Sequence, residues 1–237
     1  MTRRRWIADE VRGDTAILTG EHASHLSRVL RAQIGQEFDI ATSDAVRVGT
    51  IVSVSDERVE FALHGQVIVK PSARLTLVLA IFKFDRMEWA IEKCTEIGVA
   101  RIIPMVARRT DAHLASAAGK RRERWQRIAR QAAEQSRRMA PPEISEPIKF
   151  RDLGGTVGIA GARVVLAESE EDRRLRDVLT ASVSEAVLAV GPEGGWTDEE
   201  LLWFRESGWK AASLGNTILR AETAAIVAAA LALDGLR

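Results

Sequence analysis

Short apolar segments separated by turn residues fill the first seventy positions of the chain. In the clearest of them Val46, Val48, Val52 and Val54 occupy alternate positions, which is the period of a strand with one buried face. Segments of this composition occur at 14–19, 36–41, 45–54 and 57–63. Short strands at this spacing predict a small β-barrel.

One helical pattern interrupts these strands. It runs from Glu21 to Ala32, and Leu26, Val29 and Leu30 form its apolar stripe.

The pattern changes beyond Pro71. An apolar run at 74–81 suits a central strand, and an amphipathic helix is predicted over 85–97, ending at Gly98. Further apolar runs occur at 101–106, 162–167, 186–190 and 209–214. Alternating strands and helices predict an α/β domain with a five-stranded parallel sheet, and periodicity alone favours an ordinary doubly wound fold.

A long basic helix is predicted over residues 118–138. Trp125, Ile128, Ala132 and Gln135 recur at helical spacing, so that side is expected to pack inward while the arginines surround the rest. A pair of prolines shortly afterwards ends the pattern.

The net charge of +1 over 237 residues conceals an uneven distribution. Residues 1–100 carry a net charge of −1, residues 101–138 carry +8 and residues 139–237 carry −6. A local concentration of this kind is expected of a protein that binds a polyanion such as RNA.

The remaining composition excludes several classes of protein. A single cysteine, Cys94, excludes an internal disulfide, and the four histidines show no accompanying ligand cluster, so we expect no metal site. There is neither an apolar run long enough for a membrane span nor a secretion signal, and we therefore expect a cytoplasmic protein.

Two glycine-containing stretches near the C-terminus organise the chain. The stretch 190–197 reads VGPEGGWT, the stretch 214–225 reads LGNTILRAETAA, and each follows a predicted buried strand. Glycine after a strand permits turns closed to other residues and brings main-chain groups close to a ligand. Together the two turns predict a continuous backbone cradle. A phosphate-binding loop is the weaker alternative, because no Gly-Lys-Ser/Thr ending is present.

These two stretches resemble the signature of the SPOUT methyltransferases, and specifically of the RsmE-type enzymes. The resemblance continues in the stretches 22–31, 85–98 and 133–138, and so covers both halves of the chain. It implies an α/β SPOUT domain with a C-terminal trefoil knot at 73–237, preceded by a small PUA-like β-barrel domain that binds RNA at 1–72. It also implies methylation of uridine N3 in small-subunit (16S) ribosomal RNA, with S-adenosylmethionine as the cofactor.

The resemblance implies that the cofactor lies in the glycine cradle. The residues that match the family's motif or adjoin it are Leu166, Ala167, Glu168, Val190, Gly191, Pro192, Gly194, Gly195, Leu214, Gly215, Ile218, Leu219, Arg220 and Thr223.

Arg138 matches the arginine of the family's catalytic region. A guanidinium there would hold a uracil carbonyl oxygen and favour negative charge on the base. Arg137 is an additional basic residue with a less certain match. Glu134 is the nearest carboxylate that would serve as a base, although an ion pair on the helix face is the favoured role, so the general base stays unassigned.

The candidate RNA contacts are basic residues in three parts of the chain. They are Arg3, Arg4, His25, Arg28, Arg31, Lys83, Arg86, Arg121, Arg122 and Arg124. The alternative for the first two is a basic tail, and for His25, Arg28 and Arg31 it is a solvated helix face.

The final helix, predicted over 221–233, is apolar on nearly every face and must be buried on all sides. Together with the resemblance, this predicts a homodimer with composite active sites, and burial within one subunit is the alternative. Glu222 in its first turn has two open roles, interaction with the helix dipole or with a partner subunit.

Two other functions remain open. A SPOUT ribose 2′-O-methyltransferase would use the same cradle, and a non-catalytic RNA-binding protein would account for the basic stretch and the barrel.

Overall fold

The computed structural model describes residues 5–42, 45–68, 74–158, 161–179 and 184–236. It divides the chain into two compact units, one comprising Met1–Pro71 with Ala133–Ala140 and the other Ser72–Ala132 with Pro141–Arg237. The predicted domain boundary at residues 72 and 73 lies outside the described residues. A division there would place the segment 133–140 in the other unit.

The N-terminal unit is a curled six-stranded sheet. Its strands are β1 (Arg5–Ile7), β2 (Glu10–Arg12), β3 (Thr15–Thr19), β4 (Glu37–Ala41), β5 (Val46–Val54) and β6 (Arg58–Val67). Their order is β1-β4-β5-β6-β3-β2, so the two edge strands are neighbours in sequence. Between them, the Ala8 amide donates to Ala41 and the Asp9 amide donates to Ile17. One continuous segment thus joins both edges of the sheet.

The four strands predicted in this unit are confirmed with small shifts at their ends. Strands β1 and β2 were not predicted, because three-residue strands are too short to show a period. The predicted helix is shorter than expected: α1 (Gly20–Ser24) is followed by a π-helical turn at His25–Val29. Leu26 lies in that turn and is fully buried.

The C-terminal unit is built on a seven-stranded sheet whose described pairings are all parallel. Its strands are β7 (Arg74–Ala80), β8 (Arg101–Val106), β9 (Glu143–Ile144), β10 (Ile148–Lys149), β11 (Ala162–Leu166), β12 (Glu185–Val190) and β13 (Lys210–Ala212). The main path is β10-β8-β7-β12-β11-β13, and β9 also pairs with β8. The five predicted strands are confirmed, and the two-residue strands β9 and β10 were missed.

Helices cover both faces of this sheet. They are α2 (Phe84–Ile97), α3 (Ala112–Ala117), α4 (Arg122–Gln135), α5 (Leu153–Thr156), α6 (Leu175–Val178), α7 (Asp198–Glu206) and α8 (Ala221–Gly235). Along β7 the side chains of Leu75, Leu77 and Leu79 enter one core while Val78 and Ala80 enter the other. This double burial explains why the strand is an unbroken apolar run.

Helix α8 returns from the edge of the sheet to its middle. Strand β13 is an edge strand beside β11, yet α8, the next element, packs against α2, β7 and β12. Its alanines face the core, with Ala225, Ala228, Ala229 and Ala232 fully buried. Among the described residues, no helix is long and apolar enough to span a bilayer.

The predicted basic helix over 118–138 is divided and ends early. A 3₁₀ turn at Ala118–Arg121 precedes α4, which ends at Gln135. Trp125 and Ala132 are buried as predicted, whereas Gln135 is exposed. The prediction was wrong at the end because the next residues leave the helix in a left-handed turn, which an arginine does not signal in the sequence.

Candidate functional site

A cavity of about 560 Å³ lies in the C-terminal unit, where strands β11, β12 and β13 end. Three segments that follow these strands line it, at 166–169, 190–196 and 212–221, together with Arg86 and Arg109. Thirteen of the fourteen residues predicted for the cradle are among the lining residues; Thr223, in the first turn of α8, is not. Carboxyl ends of parallel strands meet at one edge of a sheet, so a cavity forms there.

The first glycine turn is held by its own Trp196 and by Arg109 from another segment. The indole Nε1 of Trp196 donates to the carbonyl of Leu166 at 2.9 Å, and Arg109 Nη1 donates to the carbonyl of Gly194 at 2.7 Å. A Cβ placed on Gly191 would lie 3.2 Å from the Trp196 ring, and Gly195 has a left-handed φ of 69°. The backbone of this turn therefore has little freedom.

The second glycine turn is held in the same way. Gly215 has a φ of 149°, which other residues rarely adopt, and a Cβ placed there would lie 3.2 Å from Arg174. The Arg174 Nη2 donates to Asn216 Oδ1 at 2.6 Å. Ile218 also lines the cavity. This residue is 81% exposed, so it forms part of the open rim.

Arg86 connects the two C-terminal stretches. Its Nη1 donates to Glu193 at 3.1 Å, and its Nε lies 3.7 Å from Glu222 Oε1. Arg86, a predicted RNA contact, lines the cavity and bridges these two carboxylates. Glu222 is buried, and its Oε2 has no hydrogen-bond partner among the described residues.

The surroundings of Glu222 stabilise its carboxylate, although only one of its two oxygens lies near a cation. The N-terminus of α8 and the Arg86 guanidinium both favour its negative charge. This supports the helix-dipole role left open by the sequence, with an ion pair added to it.

The arginines of the basic stretch are engaged with carboxylates. Arg124 forms a bidentate pair with Glu88 at 2.6 and 2.8 Å, and Arg122 Nη1 lies 2.8 Å from Glu146. Arg121 lies over the Phe84 ring at 4.8 Å. The carboxylates of Glu88 and Glu146 therefore offset part of the positive charge of the basic stretch.

The other predicted RNA contacts are scattered. Lys83 and Arg31 are exposed, and Arg28 is exposed and paired with Asp56 at 2.8 Å. The His25 ring lies 5.8 Å from the Trp6 ring. Arg3 and Arg4 lie outside the described residues.

The two residues predicted for catalysis lie at the end of α4, in the segment that clusters with the N-terminal unit. The Arg138 side chain is half-buried, and burial lowers the pKa of its guanidinium from the ordinary value. Arginine nevertheless stays charged in proteins, and its charge acts more strongly where less water screens it. Glu134 Oε1 lies 3.5 Å from His22 Nε2, an ion pair when the imidazole is protonated.

The turn that follows α4 has an unusual residue at its centre. Arg137 has a φ of 60°, a conformation that costs an L-residue other than glycine roughly 1 to 2 kcal/mol. Its carbonyl accepts a hydrogen bond from Arg5 Nη1.

Three participants were missed by sequence reasoning. Trp196 stands inside the first glycine stretch, and its motif was a usable signal. Arg109 follows β8 and Arg5 begins β1, and neither had a neighbour in sequence that pointed to its contact.

The single cysteine lies in the core of the C-terminal unit. Burial raises the pKa of the Cys94 thiol to about 12, which suits a packing residue rather than a nucleophile. Within the described ranges, no group of three metal-ligating side chains occurs.

Comparison with known proteins agrees with this geometry. A family model described as an RNA methyltransferase domain matches residues 69–233. The chain is 33% identical over 226 residues to ribosomal RNA small subunit methyltransferase E of Synechocystis, covering 91% of this chain and 72% of that one. It is 32% identical to the Rickettsia conorii protein of the same name, covering 90% and 87%.

A solved structure is similar over nearly the whole chain. Ribosomal RNA small subunit methyltransferase E from Neisseria gonorrhoeae, crystallised with bound S-adenosyl methionine, aligns with a TM-score of 0.85 and 27% identity. The alignment covers 96% of this chain and 95% of that one.

Proposed function

This chain belongs to the ribosomal RNA small subunit methyltransferase E family, and on that premise we propose that it methylates N3 of one uridine in 16S ribosomal RNA. At the coarser level it is an S-adenosylmethionine-dependent ribosomal RNA methyltransferase. The observation that carries the proposal is the cavity formed by both glycine turns.

The cavity fits the cofactor in size and chemistry. Its volume of about 560 Å³ falls within the range of small-molecule sites, and its lining combines backbone groups with apolar walls. We propose that Val190, Gly191, Gly195 and Leu214 hold the cofactor through main-chain groups. When bound, S-adenosylmethionine supplies an electrophilic methyl group.

Methyl transfer from a sulfonium is an in-line displacement, and the main task of the protein is to position the two reactants. The hydrogen bonds from Trp196 to Leu166 and from Arg109 to Gly194 fix the conformation of the first turn. Little conformational entropy is therefore lost when the cofactor binds. The acceptor nitrogen of uridine carries a proton at neutral pH, and its loss leaves negative charge on the base.

We propose that Arg138 stabilises that charge through a uracil carbonyl oxygen. Its partial burial supports this role, because a guanidinium is more effective where the local dielectric is low. Glu134 already has His22 as a partner, which supports an ion-pairing role over that of general base.

We also propose the finer features of the fold. The segment around Ser213 lies between β11 and residues 173–174: Ser213 N–H donates to Arg173, and Leu175 N–H donates to Ser213. The chain then returns to the middle of the sheet as α8, a path that supports a trefoil knot. The N-terminal sheet is curled, and its two edge strands, β1 and β2, are consecutive in residues 5–12. This arrangement supports a PUA-like barrel. An experimental structure whose backbone contains no knot would contradict the trefoil knot.

We propose a homodimer formed through α2 and α8. These helices pack together, yet each exposes a large apolar side chain, Trp89 at 48% and Leu231 at 46%. A second copy would cover both. Light scattering should give twice the monomer mass, and Trp89→Glu with Leu231→Glu should give a monomer. A monomeric wild-type protein at working concentration would contradict the proposal.

The decisive test is nucleoside mass spectrometry. Purified protein is incubated with S-adenosylmethionine and small ribosomal subunits from a strain that lacks the modification. We expect 3-methyluridine to appear in 16S RNA. A 2′-O-methyl nucleoside instead would assign the other enzymatic class, and RNA binding without any methylated product would indicate a non-catalytic binder.

A further inference from the structure

Helix α4 ends in a Schellman motif that determines the direction of the chain at Arg138. The Arg138 amide donates to the carbonyl of Ala133 at 2.8 Å, and the Arg137 amide donates to that of Glu134 at 3.2 Å. This is the paired 6→1 and 5→2 pattern of the motif, whose central residue is left-handed and usually glycine. Here that residue is Arg137, with a φ of 60°.

Because arginine does not favour this conformation, the turn needs support from elsewhere. Arg5, in the first strand of the barrel, donates from Nη1 to the carbonyl of Arg137. Arg5 is itself buried, and its Nη2 lies 3.7 Å from the buried carboxylate of Asp39. The Arg5 guanidinium is thus held by Asp39 as well as by the carbonyl of Arg137.

A second contact holds the residue that begins the motif. His22 lies between two carboxylates, with Nε2 at 3.5 Å from Glu134 Oε1 and Nδ1 at 3.7 Å from Asp9 Oδ2. Its ring also packs edge-on against Trp6, with ring centroids 6.0 Å apart. Arg5 of β1 and His22 of α1 therefore both contact the end of α4, within one unit.

We propose that Arg5 and His22 are positioning residues for methyl transfer, because they hold the 134–138 turn in the conformation that presents Arg138. This inference rests on the proposed function of Arg138. It adds that the barrel serves catalysis as well as RNA binding, and that the backbone of Arg137, rather than its side chain, is what the reaction requires.

A substitution series at residue 137 tests the backbone claim. Arg137→Gly should retain kcat within about twofold, since glycine adopts the left-handed turn without strain. Arg137→Val should lower kcat by about 100-fold, since a β-branched residue resists that turn and a small misplacement of a catalytic group is costly. The KM for S-adenosylmethionine should stay unchanged in both.

Two results would overturn the backbone claim. One is an Arg137→Gly protein as impaired as Arg138→Ala, which would mean that the Arg137 side chain is used. The other is an Arg137→Val protein that is folded and fully active.

Hydrogen exchange tests the role of Arg5 without reference to activity. Arg5→Met combined with Asp39→Asn removes the donor without leaving a buried charge, and the Arg138 amide should then exchange about tenfold faster. The matched control is Asp39→Asn alone, which keeps the donor and, in the amide oxygen, an acceptor for it, so that exchange rate should change by less than about twofold. Equal exchange rates in the double variant and the wild type would contradict the assignment of Arg5.

His22 is tested by conservative rescue. His22→Ala should lower kcat by about tenfold, and His22→Gln, which still places a donor near Glu134, should restore most of it. Equal activity of His22→Ala and wild type would remove His22 from the proposal.

Failure of this inference differs from failure of the proposed function. Wild-type protein that transfers no methyl group would overturn the function, while the exchange experiment would still decide whether Arg5 holds the turn. Active wild-type protein with normal exchange at Arg138 in the double variant would overturn the positioning alone.

Discussion

The glycine cradle and the turn at 134–138 reach defined backbone geometries by different routes. In the cradle, residues with φ values of 69° and 149° are glycines, so the chain adopts these conformations without strain. In the turn, the left-handed residue is Arg137, and a bond from Arg5, 132 positions away, supports it. The cradle is specified locally, whereas the turn depends on the folded N-terminal sheet. Substitutions should therefore affect the two regions differently.

The largest effect should come from the turn. Arg138→Ala should lower kcat by about 100- to 1,000-fold, the cost typical of removing one donor that stabilises developing charge. Affinity for S-adenosylmethionine, measured by calorimetry, should not change. Arg138→Lys keeps the charge without the planar fork and should recover only part of the rate. Loss of cofactor binding in Arg138→Ala would show that the two regions are not separable.

The cradle should respond through the cofactor. Gly215→Ala should raise the Kd for S-adenosylmethionine by about 100-fold, because alanine resists a φ of 149° and its Cβ would approach Arg174. Gly195→Val should act in the same direction. The matched control is Gly119→Ala, where a Cβ meets nothing within 4 Å and φ is ordinary. Equal calorimetric affinities for Gly215→Ala and Gly119→Ala would contradict the assignment of the cradle.

Arg86 should give a smaller effect that combines stability and binding. Arg86→Met leaves the buried Glu222 without its cation, and should lower the free energy of unfolding in urea by about 2 kcal/mol. Arg74→Met is the control: its partner Glu185 lies 3.5 Å away and both side chains are exposed, so the decrease should stay below about 0.5 kcal/mol. Similar decreases in both variants would mean that burial of Glu222 is unimportant.

The smallest effects should appear in RNA affinity. Removing one arginine that binds a phosphate should reduce the slope of log affinity against log salt by about 0.7 to 0.9. Arg31→Ala, which removes an exposed side chain, should reduce it more than Arg124→Ala, whose guanidinium is bound by Glu88. A larger change for Arg124 would show that RNA displaces the Glu88 pair. Unaltered slopes in both would leave these arginines as solvated surface.

The sequence by itself determined the elements whose signals are local. Alternating valines predicted strand β5 of the N-terminal sheet, unbroken apolar runs predicted the central strands of the second sheet, and glycines after β12 and β13 predicted the turns that line the cavity. In each case neighbouring residues decide the backbone conformation, because side-chain period and glycine freedom act within a few positions. Thirteen residues predicted for the cradle accordingly line one cavity.

Only the tertiary structure decided which partners the long side chains contact. The sequence offered Arg86 as an RNA contact but did not show that it pairs with Glu193, 107 positions away, and with Glu222. Helix α4 was expected to continue to residue 138, but it ends at Gln135, and the residues around its end contact Arg5 and His22 of the N-terminal unit. An arginine has the same local pattern whether it binds phosphate, a carboxylate or a backbone carbonyl, because its long flexible side chain takes whichever partner the fold brings near. Folding thus assigned the partners of residues whose positions along the chain were already evident.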